Sequence, residues 1–477
     1  MTNQSTQSNQ SALYTLMTVW FFWSFVAASN GILIPLFKDK FELQQWQAQL
    51  VDFAFYAAYF VGSILYFVVS GFIKGDILNK IGYKNGIIYG LLISAVGTLL
   101  FFPAAELKSF PILLAALFIV GLGFSLQQTA TQPFMIALGD PATGAQRINL
   151  GGAVNNLGGT IGPALISFAI FGSTSADAAK NASIDSVKAP YLILGAVFAI
   201  FALFFKMSKL PRITNEEEVE IGTGALKYPQ LVWGMTAIFV YVGVEVTVGS
   251  NLGEYLKVTE NLDSSQIAKY VSLFWGSMMV GRWTASIGNF EMKQSTKQIL
   301  SVIVPLVAFA IVLGVNKLGG SEIDDLLPYV FCVFMMIAAF FVTKEKPVRT
   351  LLIYTALGVV TSIAGVVLTG KIALFLLISG GLFCSVLWPC IFSLGTAGLG
   401  KYTNQGSAFL IMMILGGAVL PVVQGVIADK VGIQLSYLLA TACFAYLFFF
   451  GISVQKSLQK QGIDFDKEVV KGGKSGH

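Results

Sequence analysis

The chain has 477 residues, of which 55% are hydrophobic and 12% are charged, and its mean hydropathy is +0.73. Soluble domains carry about 25% charged residues, so this composition excludes an ordinary soluble enzyme. The formal net charge is +5, and the single histidine, His477, is the last residue. The apolar segments therefore contain no histidine for metal binding or proton relay, and the four cysteines show no spacing typical of a metal site or disulfide.

Apolar runs of roughly 20 residues recur along the chain, and each is long enough to cross a hydrocarbon core about 30 Å thick. Because backbone groups in lipid must be bonded within their own segment, we expect helices. The predicted fold class is an all-α polytopic membrane protein. The first six helices are predicted at residues 12–36, 48–73, 86–103, 109–137, 149–172 and 190–206.

The polar segment 207–229 contains four glutamates and is predicted to be a cytoplasmic linker. Eight further helices bring the predicted number of crossings to fourteen. They are expected at residues 230–256, 266–286, 297–315, 326–342, 350–368, 372–397, 406–427 and 434–453.

A repeated pattern relates the two halves of the chain. The matched features, in pairs, are Leu157-Gly158-Gly159 with Leu415-Gly416-Gly417, Ser29-Asn30 with Ser250-Asn251, and Pro133 with Pro389. The offset between partners grows from six helices to eight, which predicts an inserted helix pair near residues 290–343. The alternative is that one member of this pair is a re-entrant or interfacial segment. Duplicated bundles around a central site are typical of secondary transporters.

The predicted domains are a six-helix bundle over residues 1–206, the linker, a C-terminal bundle over 230–455 and a tail over 456–477. Most lysines and arginines fall on the side of the membrane that carries both termini, so we expect both termini to be cytoplasmic. The N-terminus is polar and uncharged, unlike a cleaved signal peptide, so we expect the first helix to remain attached. The expected location is a bacterial inner membrane.

Several stretches carry a resemblance to a known family. They are Asn30 to Pro35 (NGILIP), Gln45 to Tyr59, Leu126 to Gly159, Tyr241 to Glu245 (YVGVE) and Gly380 to Gly432. They resemble the major facilitator superfamily and, within it, the fucose–galactose–glucose symporter family. The resemblance implies two six-helix bundles and alternating access. It also implies cation-coupled import of a neutral hexose by a monomer, in the lipid bilayer, without a cofactor or a nucleic-acid partner.

Two acids of the fucose–proton symporter type are missing. Gly31 stands where that type has an aspartate, and Gln128 stands where it has a glutamate. Asp52 and Glu245 instead lie within predicted helices. Placing an ionisable group inside a membrane costs free energy, so such residues are candidates for a functional role. We expect them to be the cation-coupling acids, with Na⁺ or H⁺ as the ion. The alternatives are a structural acid for Glu245 and an acid in a hydrated vestibule for Asp52.

Sugars need amide hydrogen bonds and flat apolar faces within a mostly apolar pocket. The candidate substrate-binding amides are Asn30, Gln127, Gln128, Asn155, Asn156 and Asn251, and the candidate stacking residues are Trp275 and Trp388. Amides also link helices in membranes, and tryptophans anchor helix ends at the interface, so a structural role is the alternative for each. Arg282 is expected at a cytoplasmic helix end as a gate or loop anchor, which leaves no arginine in the middle of the membrane.

A membrane enzyme is disfavoured because the sequence lacks a histidine, metal cluster or nucleophile–base pair within its helices. A sugar receptor is disfavoured because the sequence has no additional soluble domain. An uncoupled facilitator, or a carrier of another small solute such as an amino sugar or a drug, stays open.

Overall fold

The computed structural model describes residues 2–72, 77–138, 144–172, 183–211, 224–287, 292–344, 346–399 and 402–463. The predicted linker and tail lie largely outside these residues, as does His477. Within them, the regular structure is helical and contains no strand. The helices of the first half are α1 (Thr2–Lys40), α2 (Gln45–Ala48), α3 (Leu50–Phe72), α4 (Ile77–Ile81), α5 (Tyr83–Leu99), α6 (Phe101–Glu106), α7 (Phe110–Ala137), α8 (Gly144–Phe171) and α9 (Lys188–Met207).

The second half begins with three long helices and continues with several that are interrupted. They are α10 (Pro229–Thr259), α11 (Ser264–Ser286), α12 (Gln294–Leu318), α13 (Val330–Thr343), α14 (Pro347–Val367), α15 (Gly370–Ile378), α16 (Gly380–Cys384), α17 (Leu387–Thr396), α18 (Thr403–Met412), α19 (Gly416–Val431), α20 (Ile433–Ser436) and α21 (Leu438–Lys460). Short 3₁₀ segments lie at Ile184–Val187, Gly224–Lys227, Asp324–Tyr329 and Met413–Leu415.

Thirteen helical segments in the described part of the chain are long and apolar enough to cross a membrane. This confirms the predicted class, although the predicted count of fourteen is one too high by this criterion. The remaining predicted crossing corresponds to α11, which has 23 residues and is long enough to span. It falls short in apolarity because it carries Lys269, Arg282 and several serines.

The helices alternate in direction, which gives the bundle two distinct ends. We call one the Lys38 end, where α1 and α10 finish and α3 and α11 begin. At the opposite, Lys206 end, Lys84 at the start of α5 donates to the Lys206 carbonyl oxygen at 2.9 Å. These names are used below because they make no assumption about the side of the membrane.

Glycines at matched positions bring the helices of each half into close contact. A Cβ on Gly158 of α8 would lie 2.9 Å from the carbonyl carbon of Phe21 on α1. A Cβ on Gly416 of α19 would lie 2.6 Å from the carbonyl carbon of Phe239 on α10. Small residues allow helix backbones to approach in lipid, where no hydrophobic force drives helices together. The repeated Leu-Gly-Gly segment is therefore a packing element.

Of the two additional helices, α12 lies beside α11, whereas α13 packs against α12 and α14 and reaches α11 through the 3₁₀ segment that precedes it. On α12, Asn316 donates from Nδ2 to the Ser272 hydroxyl of α11 at 3.0 Å. Just before α13, Asp325 accepts from Lys269 at 2.7 Å and from the Tyr270 hydroxyl at 2.6 Å. Both predicted helices exist at close to the expected positions, and each meets the length and apolarity criterion for a span.

Candidate functional site

Asp52 lies where the two halves of the chain meet, on the first turn of α3. Its side chain is buried, with a relative exposure of 1%. One carboxylate oxygen accepts from Asn30 Nδ2 of α1 at 2.9 Å, and the other accepts from the Ser250 hydroxyl of α10. We call Asp52, Asn30 and Ser250 the Asp52 cluster. Its acid is held by neutral donors, one of which comes from the opposite half.

Further polar contacts join the halves at the Lys38 end. Gln45 Nε2 donates to Asn251 Oδ1 at 3.0 Å, and Asn251 Nδ2 donates to Gln424 Oε1 at 3.0 Å. Asp429 of α19 accepts the backbone N–H groups of Gln45 and Trp46 at 2.9 and 3.0 Å, so its charge caps the exposed amides at the start of α2.

Two ion pairs lie nearby and also cross between the halves. Lys38 of α1 pairs with Glu254 of α10, and Lys257 of α10 pairs with Asp39 of α1. Together with the amide contacts, they close the Lys38 end between α1, α2 and α10. Asn251, a predicted substrate-binding residue, is fully buried within these contacts.

A row of tyrosines leads from the Asp52 cluster into the bundle. Tyr56 lies one helical turn beyond Asp52 on α3, and it interacts electrostatically with both Asp52 and Glu245. Its ring is 6.2 Å from that of Tyr59, whose hydroxyl accepts from Gln128 Nε2 at 3.2 Å. The structure thereby brings the two predicted coupling acids near one tyrosine, which the sequence reasoning did not select.

Glu245 and Arg282 form a second group, in the C-terminal half. Glu245 interacts with the Tyr241 hydroxyl and with Arg282. Arg282 Nη2 lies 3.5 Å from the Tyr241 hydroxyl oxygen, and the rings of Tyr241 and Trp388 are 6.0 Å apart. We call these four residues the Arg282 cluster. Arg282 does lie in the last turns of α11, but its guanidinium points into the bundle rather than into a loop, which corrects the sequence-based expectation.

A break in the helical path through α16 and α17 explains this orientation. Pro389 has no N–H group and cannot bond the carbonyl four residues earlier, which belongs to Ser385. Ser385 falls between α16 and α17, and its carbonyl oxygen accepts from Arg282 Nε at 3.2 Å. The guanidinium thus satisfies a backbone group that the proline leaves free.

The amides of α8 face the same region from the N-terminal half. A Cβ on Gly152 would lie 4.0 Å from Arg282 Nη1, and Asn155 lies on the same face of α8, three residues further on. Asn155 Oδ1 and Asn156 Nδ2 are buried and have no hydrogen-bond partner in the protein. Since buried polar atoms are normally paired, these two atoms are available to a ligand or to water.

Two other predicted binding residues occupy positions within the packing of the bundle. Gln127 is fully buried, and its amide is shared between Trp23, which donates at 3.1 Å, and the Ser94 hydroxyl, which accepts at 3.2 Å. Trp275 is 6% exposed and packs between α8 and α10, against Gly159 and Gly249. Gln127 therefore has both of its amide groups engaged by protein partners, and Trp275 contacts α8 one turn along from Asn155.

The residues that the sequence reasoning missed are Tyr56, Tyr241, Ser250, Gln424 and the inward-pointing side chain of Arg282. A signal existed for the tyrosines, because Tyr56 lies four residues after Asp52 and Tyr241 lies four residues before Glu245, one helical turn in each case. Within the described ranges, no cluster of three or more His, Cys, Asp or Glu side chains could hold a metal ion.

A many-helix membrane bundle with interior acids, amides and aromatic rings at the contact between two repeated halves is the architecture of a transporter rather than an enzyme. The family model for the Major Facilitator Superfamily matches residues 16–342. The glucose/galactose transporter of Brucella abortus is 35% identical over 462 residues, which cover 96% of this chain and 97% of that protein. The chain belongs to the Major Facilitator Superfamily and, within it, to the fucose–galactose–glucose symporter family.

Other relatives agree with this assignment. The L-fucose-proton symporter of Escherichia coli is 28% identical over 459 residues, covering 91% of each chain. A crystal structure of the E. coli fucose:proton symporter superposes with a TM-score of 0.62 at 25% identity, covering 94% of this chain and 99% of that one. An inward-facing bacterial homologue of the lysosomal transporter Spinster has a TM-score of 0.61 at 14% identity, over 95% and 98% of the two chains, which shows the shared fold alone.

Proposed function

We propose that this protein is a secondary active transporter that imports a neutral hexose or related sugar together with a cation, by alternating access. The observation that carries the proposal is that the contact between the two halves holds unpaired amide atoms, aromatic rings and two acids. The nature of the sugar is supported by the full-length similarity to the glucose/galactose transporter.

The binding residues we propose are Asn155 and Asn156 of α8, Gln128 of α7 and Trp388 of α17. The unpaired atoms of the two asparagines can bond sugar hydroxyls, and the half-buried Trp388 offers a flat apolar face to the ring. Gln127 and Asn251 have both amide groups bonded to protein partners, so we assign them to packing and to closure of the Lys38 end. Asn30 donates from Nδ2 to Asp52, so we assign it to the Asp52 cluster.

We propose Asp52 as the cation-coupling acid and Glu245 as the second candidate. A buried carboxylate bonded only by an amide and a hydroxyl has no positive charge to balance it, so binding of H⁺ or Na⁺ is strongly favoured. Glu245 already interacts with Arg282. Because Ser250 belongs to the opposite half, opening of the Lys38 end would remove one ligand of Asp52 and change its affinity for the cation.

The distribution of lysines and arginines supports placing both termini in the cytoplasm of a bacterial cell, with the Lys38 end outside. The contacts at that end then correspond to a state closed to the outside. We expect the protein to work as a monomer, because each polypeptide carries both halves of the proposed site.

The test is uptake of radiolabelled glucose, galactose and fucose into proteoliposomes, with sodium and proton gradients imposed separately. Accumulation driven by one gradient and abolished by the matching ionophore supports symport. Equilibration without accumulation under both gradients would assign the protein to the uncoupled facilitators. Absence of uptake of all three sugars, alongside uptake of an amino sugar or a drug, would reject the proposed substrate class.

A further inference from the structure

Arg282 occupies the contact between the halves, at the level of the candidate sugar site. Its guanidinium touches the Ser385 carbonyl and the Tyr241 hydroxyl, and it faces Gly152 of α8. Tyr241 lies about three helical turns inside α10, so the charge is well inside the bundle. One turn along α8 from Gly152 is Asn155, with its unpaired oxygen. A ligand held by α8 would therefore lie beside Arg282.

The charge of Arg282 has a counterpart in Glu245. Tyr241 links them: its hydroxyl oxygen lies 3.5 Å from Arg282 Nη2, and Glu245 lies one helical turn further along α10. The two opposite charges therefore attract each other across Tyr241. An unpaired charge inside a membrane bundle is costly, whereas an acid–base pair in the same place presents no net charge. Arg282 has a structural reason to stay where it is, because it satisfies the Ser385 carbonyl that Pro389 leaves free.

We propose that the Glu245–Arg282 pair determines the specificity of the site for neutral sugars over anionic sugars. This inference rests on the proposed sugar-transport function and deepens it. With Glu245 ionised, a hexuronate would place a second carboxylate next to an already balanced arginine and would be repelled. When Glu245 is made neutral, Arg282 becomes an unpaired guanidinium beside the sugar, where a carboxylate would be bound as its new partner.

The variant that tests this is Glu245→Gln, which keeps the shape and removes the charge. The measurement is competition of unlabelled glucuronate against labelled glucose, with unlabelled glucose as the reference competitor. We expect glucuronate to compete poorly in the wild type and its apparent affinity relative to glucose to rise by about tenfold or more in Glu245→Gln. Arg349→Gln, an exposed arginine on α14, is the matched control and should leave the ratio unchanged.

The double variant Glu245→Gln/Arg282→Gln completes the design. It removes both charges, so the preference for neutral sugar should return and glucuronate should again compete poorly. An unchanged ratio of glucuronate to glucose affinity in Glu245→Gln, or a raised ratio that persists in the double variant, would overturn the proposal.

A thermal-unfolding cycle without sugar keeps the result interpretable if a single variant is poorly folded. Each single variant should melt below the double variant, because each leaves one charge inside the bundle without its opposite charge. Equal melting of all three would show that the pair does not exist. Failure of the proposed function is seen separately, since a wild type that takes up no hexose rejects sugar transport whatever this cycle shows.

Discussion

Replacement of Asp52 by asparagine is the most direct perturbation of the proposed coupling mechanism. The side chain is 1% exposed and accepts two hydrogen bonds, from Asn30 and Ser250. Asparagine has nearly the same shape, and its oxygen can keep one of these bonds, so the expected loss of stability is about 1 kcal/mol. The change removes the negative charge that would hold the transported cation.

The effect on transport should be much larger than the effect on stability. One elementary charge moving through 100 mV supplies about 2.3 kcal/mol, enough to concentrate a neutral sugar by roughly 50-fold. The wild type should approach this ratio at that potential, whereas Asp52→Asn should only equilibrate the sugar, to a ratio of about 1. Counterflow exchange should survive in Asp52→Asn, because exchange of sugar for sugar needs no net movement of the ion.

The assay is uptake of labelled sugar into proteoliposomes with equal sodium and proton concentrations on both sides and a potassium diffusion potential imposed. Glu322→Gln removes an exposed acid at the Lys38 end and serves as the matched control, with accumulation expected to equal that of the wild type. Continued accumulation by Asp52→Asn would refute the argument that an acid without a cationic partner carries the coupling. Loss of counterflow together with accumulation would show damage to the sugar site instead.

Three further outcomes are expected. Gly416→Ala should lower the melting temperature by several degrees, because its Cβ would lie 2.6 Å from a carbonyl carbon of the facing helix. Its control, Gly314→Ala, has open space around the added Cβ and should melt at or above the wild-type temperature. Asn155→Ala should weaken sugar binding in calorimetry by about tenfold with little change in melting temperature, whereas Gln127→Ala should destabilise the fold by about 1–3 kcal/mol through its lost buried partners. Asp429→Ala should accelerate hydrogen exchange of the α2 amides, which it caps, and unchanged exchange there would contradict the assigned contact.

The sequence by itself determined the class of protein and most of the helices. In lipid the backbone must be bonded within each segment, so composition and run length are enough to predict spans. The repeat also coincides with a local contact in each half. Gly158 and Gly416 recur at matched positions because each half needs the same close crossing between two helices. The predicted count of fourteen spans is one higher than the thirteen described helices that meet the length and apolarity criterion. The difference is α11, which is long enough to span but carries too many polar residues to meet that criterion.

The tertiary structure alone decided which polar residues share a site. Gln127 and Gln128 are neighbours in the chain, yet they have different surroundings. The amide of Gln127 is hydrogen-bonded to Trp23 and Ser94, whereas Gln128 is half-buried beside Tyr59. Helical neighbours point in different directions, so adjacency in sequence carries no information about partners across helices. Arg282 was expected at a helix end, but the carbonyl freed by Pro389 lies between two other helices, and the guanidinium turns inward to bond it. Such contacts depend on how distant helices pack, and no local pattern in the chain encodes them.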